Sequence, residues 1–355
     1  MKLLVITQKV DINDDNLGFF HHWIEKLAAE FEKVYVICLC EGERKLPQNV
    51  DVCSMGKEAG VSKIGQFFQL QKCLLKSLGH VDGVFVHMSP IYLIASFPLI
   101  KIFRKKAILW YTHKSRNWKL WLAEKLTHKV LTASKESFRI KSKKVVITGH
   151  GIDTQIFVPT EGKGAEGGAV DFLILTAGRI VPSKNLETQI LAMDILVNKQ
   201  DIKNIKLVIA GSEFEYLYPG YRDTITKLIS DRGLEENVVF VGPVLPQKMP
   251  RYYREAMIFV NSSKTGSVDK TVLEAMACGV PTISSNEAFG SVLPLIDKHL
   301  YFKEGDSESL AHHIRYIMSL DRDKRSLMGM RLREVVVRNH NLDRLIQNIR
   351  YQFLA

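Results

Sequence analysis

Cysteine is scarce in this chain, and what there is does not suit a metal. The five cysteines, Cys38, Cys40, Cys53, Cys73 and Cys278, form no CxxC pair and have no histidine at ligand spacing. That argues against a structural metal site, and the odd number reads as buried free thiols in a reducing compartment. Long apolar runs are missing too: no window of about 18 uninterrupted apolar residues offers a membrane span. The opening MKLLVITQ runs on into Asp11, Asp14 and Asp15 without a small-residue cleavage site, so it reads as a first β-strand and not as a signal peptide. Acid is nearly absent from residues 101–144, which hold 14 basic and 2 acidic side chains. A band of that charge attracts anions: phosphates, acidic lipids or nucleic acid.

What the chain does contain is a repeated grammar. Its 355 residues, 46% hydrophobic and 25% charged, suffice for two ordinary globular domains. From Lys2 to Gly151, short β-rich runs (LLVIT, VYVICL, GVFVHM, AILWYTH, KVLTAS, VVITGHG) alternate with helical ones. Strands that are apolar throughout and separated by helices indicate a parallel sheet covered on both faces. The glycine-rich stretch PTEGKGAEGGAV, residues 159–170, breaks the rhythm and reads as a linker. The grammar then restarts with DFLILTAG, IKLVIAG, VVFVGPV, MIFVNSS and PTISSN. The expected architecture is α/β: two tandem Rossmann-like, doubly wound parallel-sheet domains facing a deep cleft, over residues 1–158 and 171–335. A helical segment, 336–355, is expected to return to the first domain. Ligands should collect at the C-terminal ends of the strands.

Two places in the second half look chemical. In AGRIVPSKN, residues 177–185, Arg179 and Lys184 flank a Pro-Ser turn between a strand and a helix. Both cations can converge beside a helix N-terminus, an arrangement that suits a diphosphate and equally fits two solvated charges in a turn. In TVLEAMACGVPTISSN, residues 271–286, Glu274 stands among small apolar residues in the early turns of a helix. A carboxylate there can accept both hydrogen bonds of a vicinal diol such as a ribose, or can simply be an exposed helix glutamate.

Taken in order, AGRIVPSKN, VIAGSE, VVFVGPV, MIFVNSS and LEAMACGVPTISSN resemble the donor-binding half of the family-4 glycosyltransferases, retaining enzymes of the GT-B fold. The likeness is dense over residues 171–286 and mainly architectural over 1–158. It implies that Arg179 and Lys184 neutralise a nucleotide diphosphate and that Glu274, as the second acid of an E-x7-E motif, binds the ribose. It places His113, at the end of WYTH, close to the transferred sugar, where a buried structural histidine is the alternative. Gly18 falls where the family has a glycine turn near donor phosphate and acceptor, or is a plain turn; Ser134 is a helix N-cap or a phosphate contact. His150, in GHGID, matches a structural turn. His21 and His22 lack a third metal ligand and are left on the surface or acceptor side.

One departure is plain. Where the family has its first acid, eight residues before Glu274, this chain has Gly266. Contacts to the sugar are then expected from the backbone of Gly266, Ser267 and Val268 together with Asp269 or Lys270.

The resemblance implies a metal-independent transfer with retention from a UDP- or GDP-linked donor to a polysaccharide, glycolipid or other cell-envelope acceptor, without a cofactor. Two alternatives are a catalytically silent sugar-nucleotide-binding module and a GT-B epimerase or phosphorylase. The basic band, with Trp110, Trp118 and Trp121, suggests a cytoplasmic protein at the inner membrane face, or merely a solvated surface over core tryptophans. No nucleic-acid motif accompanies it.

Overall fold

The computed structural model describes residues 1–159, 172–264 and 266–354. The expected linker, 159–170, therefore lies outside the described residues apart from Pro159. The chain divides into two units, Met1–Gly151 with the segment from Leu342 onward, and Ile152–Asn341.

Unit 1 runs β1 (Lys2–Val10), α1 (Gly18–Glu30), β2 (Lys33–Glu41), β3 (Val50–Ser54), α2 (Lys63–Ser77), β4 (Gly83–His87), α3 (Pro90–Ile102), β5 (Lys106–Trp110), α4 (Trp118–Leu126), β6 (Lys129–Thr132) and β7 (Val145–Ile147). Its strands form one parallel sheet of order β3-β2-β1-β4-β5-β6-β7. Alternate residues of β1 feed two cores because successive side chains of a strand point to opposite faces. Leu3 and Val5 pack with α1, while Leu4 and Ile6 pack with the inner sides of α2, α3 and α4. Strand β3 is absent from the sequence reading; its short Val50-Asp51-Val52 alternation at a sheet edge is a weak signal.

Unit 2 runs β8 (Phe172–Ala177), α5 (Leu186–Asp194), β9 (Ile205–Ala210), α6 (Tyr221–Asp231), β10 (Val238–Gly242), α7 (Met249–Glu255), β11 (Ile258–Asn261), α8 (Lys270–Ala277), β12 (Thr282–Ser284), α9 (Leu293–Ile296), α10 (Ser307–Ser319) and α11 (Arg322–Asn339). The sheet order is β10-β9-β8-β11-β12, again all parallel. The order reverses between β8 and β11, and in a doubly wound sheet the crevice beyond the strand C-termini at such a point is where ligands bind. Helix α8 is anchored from behind by α11. Gly279 and Gly329 approach so closely that a Cβ on Gly329 would stand 1.8 Å from the Gly279 carbonyl oxygen. Arg333 donates to the carbonyls of Phe157 at 2.7 Å and Thr154 at 3.0 Å, and to that of Ala277 at the end of α8.

The last helix, α12 (Leu342–Leu354), packs on α1 in unit 1. Leu345, Ile346, Ile349 and Phe353 are all buried there, each burial contributing about 1.5–3 kcal/mol.

Three expectations need correction. Cys53 on β3 and Cys73 on α2 are joined as a disulfide, their Cα atoms 6.4 Å apart, so only Cys38, Cys40 and Cys278 are free thiols. Trp110 is a core residue, 1% exposed, because it ends a central strand; Trp118 and Trp121 are exposed. His21 is buried against the start of the chain segment after β2, where its Nε2 accepts the Lys45 amide at 3.0 Å. No helix among the described residues is long and apolar enough to cross a membrane.

Candidate functional site

The loop after β8 begins with Gly178 at φ +137°, so close to Lys184 that an added Cβ would lie 3.2 Å from its Cε. Gly211, after the neighbouring β9, supports the turn. A Cβ on it would collide with the Gly178 carbonyl at 1.8 Å. Past the Pro182–Lys184 3-10 turn, Asn185 adopts a left-handed conformation at φ +50° and α5 starts. This loop is stitched to the one after β11: Ser262 Oγ donates within reach of the Lys184 and Asn185 carbonyls (2.9 and 2.8 Å), and the Lys264 amide donates to the Ser183 carbonyl at 2.8 Å. Gln189 reaches in from α5 and donates to Ser262 Oγ at 2.7 Å. The result is a small hollow at the β8–β11 switch point, lined among others by Gly178, Arg179, Lys184, Gln189, Asn261 and Ser262.

Lys184 points at a carboxylate. Its Nζ donates to Asp269 Oδ1 at 2.8 Å, both side chains being 14% exposed. The other oxygen, Asp269 Oδ2, accepts from Asn261 Nδ2 at 3.1 Å and Asn286 Nδ2 at 3.3 Å. Burial opposes the Asp269 carboxylate, but the charge and hydrogen bond of Lys184, with hydrogen bonds from Asn261 and Ser263, hold its pKa below the usual value. Arg179 is exposed, its guanidinium 5.2 Å from the centre of the Phe214 ring.

Glu274 is buried on α8, which excludes the exposed-helix reading. It is also not alone: Tyr253 Oη donates to its Oε2 at 2.8 Å, and Lys270, one turn earlier, donates to Oε1. Burial and the neighbouring carboxylate push the Tyr253 hydroxyl well above its ordinary pKa, so it stays a donor. Glu274 does not line the hollow around Lys184. The link between the two places is the pair of consecutive residues Asp269 and Lys270, the first on Lys184 and the second on Glu274. Gly266 has φ +60°, a left-handed conformation that favours glycine, so the missing acid coincides with a left-handed turn. Ser267 and Val268 are buried, and the Ser267 carbonyl accepts from Asn286 Nδ2 at 2.8 Å.

The unit 1 candidates follow the C-terminal ends of β1, β5 and β6. Gly18 is buried as the first residue of α1. His113 is exposed just past β5; its amide donates to the Ser137 carbonyl at 2.9 Å and its Nδ1 accepts from the Ser115 amide at 3.0 Å. Ser134 caps a turn, accepting the Ser137 amide at 3.3 Å, and the expected helix after it does not form. His150 is buried edge-on to Trp110.

Sequence reasoning missed Asn261, Asn286, Tyr253 and Gln189 in unit 2 and His87 in unit 1. His87 stacks on Phe20 at 3.9 Å and its Nδ1 lies 3.2 Å from Thr7 Oγ1; burial drives its pKa down to about 3 and keeps it neutral. A usable signal existed for the asparagines, since Asn261 ends an apolar strand and Asn286 follows one just past its end.

Residues 168–334 match the family model described as glycosyl transferases group 1. That stretch is a group 1 glycosyl transferase domain. The chain is similar to mannosylfructose-phosphate synthase of Agrobacterium fabrum, 27% identical over 157 residues, 42% of this chain and 34% of that protein. It is also similar to a GDP-mannose-dependent alpha-(1-6)-phosphatidylinositol monomannoside mannosyltransferase of Mycobacterium tuberculosis, 27% identical over 207 residues, 55% of this chain and 52% of that protein. The chain thus covers about a third to a half of these relatives' lengths. Among solved structures, Anabaena HepE in complex with UDP superposes with a TM-score of 0.79 at 16% identity, covering 100% of both chains. That likeness is one of fold, and the fold is GT-B. Every site residue of the group 1 domain, from Arg179 to Asn286, falls inside the matched stretch, while His113, Gly18 and Ser134 fall outside it.

Proposed function

We propose that the protein is a glycosyltransferase that takes a sugar from a UDP- or GDP-linked donor and passes it, with retention and without a metal, to a polysaccharide, glycolipid or other cell-envelope acceptor. The observation that carries the reading is Lys184 at an open hollow on the β8–β11 switch point, with Arg179 on the same rim. A diphosphate entering there meets an ammonium and a forked guanidinium, charges suited to stabilising the leaving group as the glycosidic bond lengthens. Glu274 is the ribose acceptor. Tyr253 and Lys270 fill two of its roughly four lone-pair positions, which leaves two to accept the hydroxyls of a diol. His113, Gly18 and Ser134 belong to the acceptor side in this reading, and Gly266–Lys270 to the donor sugar. The relatives' names support both bases: one is GDP-mannose-dependent, and HepE was solved with UDP. In this reading the use of a nucleotide-sugar donor puts the chemistry on the cytoplasmic side.

A second reading, a sugar-nucleotide-binding module without turnover, has two observations in its favour. Asp269 already neutralises Lys184, and the first acid of the motif is replaced by Gly266. Melting shifts across a panel of UDP- and GDP-sugars, followed by a time course of donor consumption with cell-envelope acceptors, test both. A stabilising donor that is consumed supports transfer; one that binds and is never consumed supports the module; the absence of any shift refutes both.

A further inference from the structure

Helices α2, α3 and α4 lie side by side on one face of the unit 1 sheet, their inner residues Leu70, Leu74, Leu93, Ile100, Leu120 and Ala123 in a common core. Their outer sides do not look like the surface of a freely soluble domain. Phe68 is 64% exposed, Trp118 65% and Trp121 54%, with Phe67, Ile64 and Ile102 also open to solvent. Scattered apolar residues on a surface need no explanation, but several large ones on adjacent helices mark an interaction site.

Charge identifies the partner. Lys63, Lys72 and Lys76 on α2, Lys101 on α3, and Lys119 and Lys125 on α4 are all exposed among these side chains. The three helices contain a single acid, Glu124, and it is buried, its Oε1 accepting from Ser142 at 2.6 Å. Lys119 and Lys125 lie over the rings of Trp118 and Trp121, each 5.9 Å from the centroid, so cation and aromatic share one stretch of surface.

We infer that the outer face of α2, α3 and α4 docks on an anionic lipid bilayer, with phenylalanine and tryptophan rings at the headgroup boundary and lysines on lipid phosphates. Aromatic residues at the interface and lysines whose stems lie along apolar surface are the elements such binding uses. A second copy of the chain would bring a like-charged basic face against this one, which opposes self-association. The inference needs no donor and stands apart from the transferase reading.

The test uses the full chain and vesicles, with no nucleotide or sugar present. Trp23 and Trp110 are 1% exposed, so a change in tryptophan emission on binding reports Trp118 and Trp121. Expected results are sedimentation with phosphatidylglycerol-containing vesicles at least about tenfold stronger than with phosphatidylcholine alone, weakened by salt, and quenching by bromine-labelled lipid. Phe67→Ser/Phe68→Ser and Trp118→Ser/Trp121→Ser change only exposed side chains and should each lower binding about tenfold without moving the melting temperature. Lys72→Gln/Lys76→Gln should flatten the salt dependence. Equal binding to both vesicle types, no quenching, unaltered binding by the aromatic variants, or a dimer in sedimentation that these variants dissociate would each overturn the inference. Transferase activity plays no part in any of these readouts.

Discussion

Asp269→Asn separates the two roles of the carboxylate that faces Lys184. In the native protein Asp269 is an ion-pair partner and also a hydrogen-bond acceptor for Asn261 and Asn286. A nucleotide diphosphate hydrogen-bonded to Lys184 from the open side would stand roughly 5.5 Å from this negative charge, about twice a hydrogen-bond length. At an effective dielectric constant of about 20, one unit of charge at that distance costs about 3 kcal/mol. Salt and partial exposure reduce this to about 1.4 kcal/mol, or about tenfold in Kd. Titration calorimetry with UDP and GDP should therefore show about tenfold tighter binding by Asp269→Asn, with uridine and guanosine unaffected. The folded state should lose stability at the same time, by about 1–3 kcal/mol, because the new amide nitrogen faces the donor amides of Asn261 and Asn286. Tighter binding from a less stable protein is a result that mere loosening of the loop would not give. Unchanged or weaker diphosphate binding by a folded variant would refute the assignment of Lys184 to phosphate.

Lys270→Met leaves Glu274 buried with Tyr253 as its hydrogen-bond donor, and should lower stability by about 2 kcal/mol, the cost of a stranded buried charge reduced because the lost partner, 21% exposed, is not fully buried. Glu274→Gln leaves a lysine that can turn to water and should cost about 1 kcal/mol; a reversed order of the urea midpoints would contradict the buried pair. Burial lowers the pKa of His87 to about 3 and of His340 to about 4, from an unfolded value near 6.5. Their depressed values mean that stability is complete above pH 6.5 and declines as pH falls toward 4 and then 3. Urea midpoints flat across this range would exclude neutral buried imidazoles. The Cys53–Cys73 bond closes a separation of 20 residues, for which chain entropy gives about 3 kcal/mol. Thiol titration of the unreduced, denatured chain should count three cysteines, and a count of five would show that the bond does not form.

Much of the architecture was legible because parallel strands buried on both faces leave long apolar runs that nothing on a surface would tolerate. Phe172–Ala177 and Ile258–Asn261 are of that kind. Edge strand β3, with one exposed flank, leaves no such trace. Among the site residues, Arg179 and Lys184 could be read as a pair because a short turn separates them, and the structure sets both on one hollow. Partnerships over longer separations were not legible. That Lys184 meets Asp269 and that Tyr253 meets Glu274 depends on how β8, α7 and α8 stack, and residue spacing carries no information about that. The cysteines failed for the same reason: Cys53 and Cys73 look unrelated until β3 and α2 are laid side by side.

The chain enters unit 2 at Ile152 and leaves it at Asn341, and these two points touch. The Ile152 amide donates to the His340 carbonyl at 2.6 Å, and Asn341 Nδ2 donates to Thr154 Oγ1 at 2.7 Å. In topological terms unit 2 is an insertion with both its termini at one spot, the arrangement in which a domain can be excised or transplanted with least disturbance. A gene fragment spanning residues 152–341 carries a closed boundary, whereas a stop codon before Leu342 would strip unit 1 of the helix that completes its core.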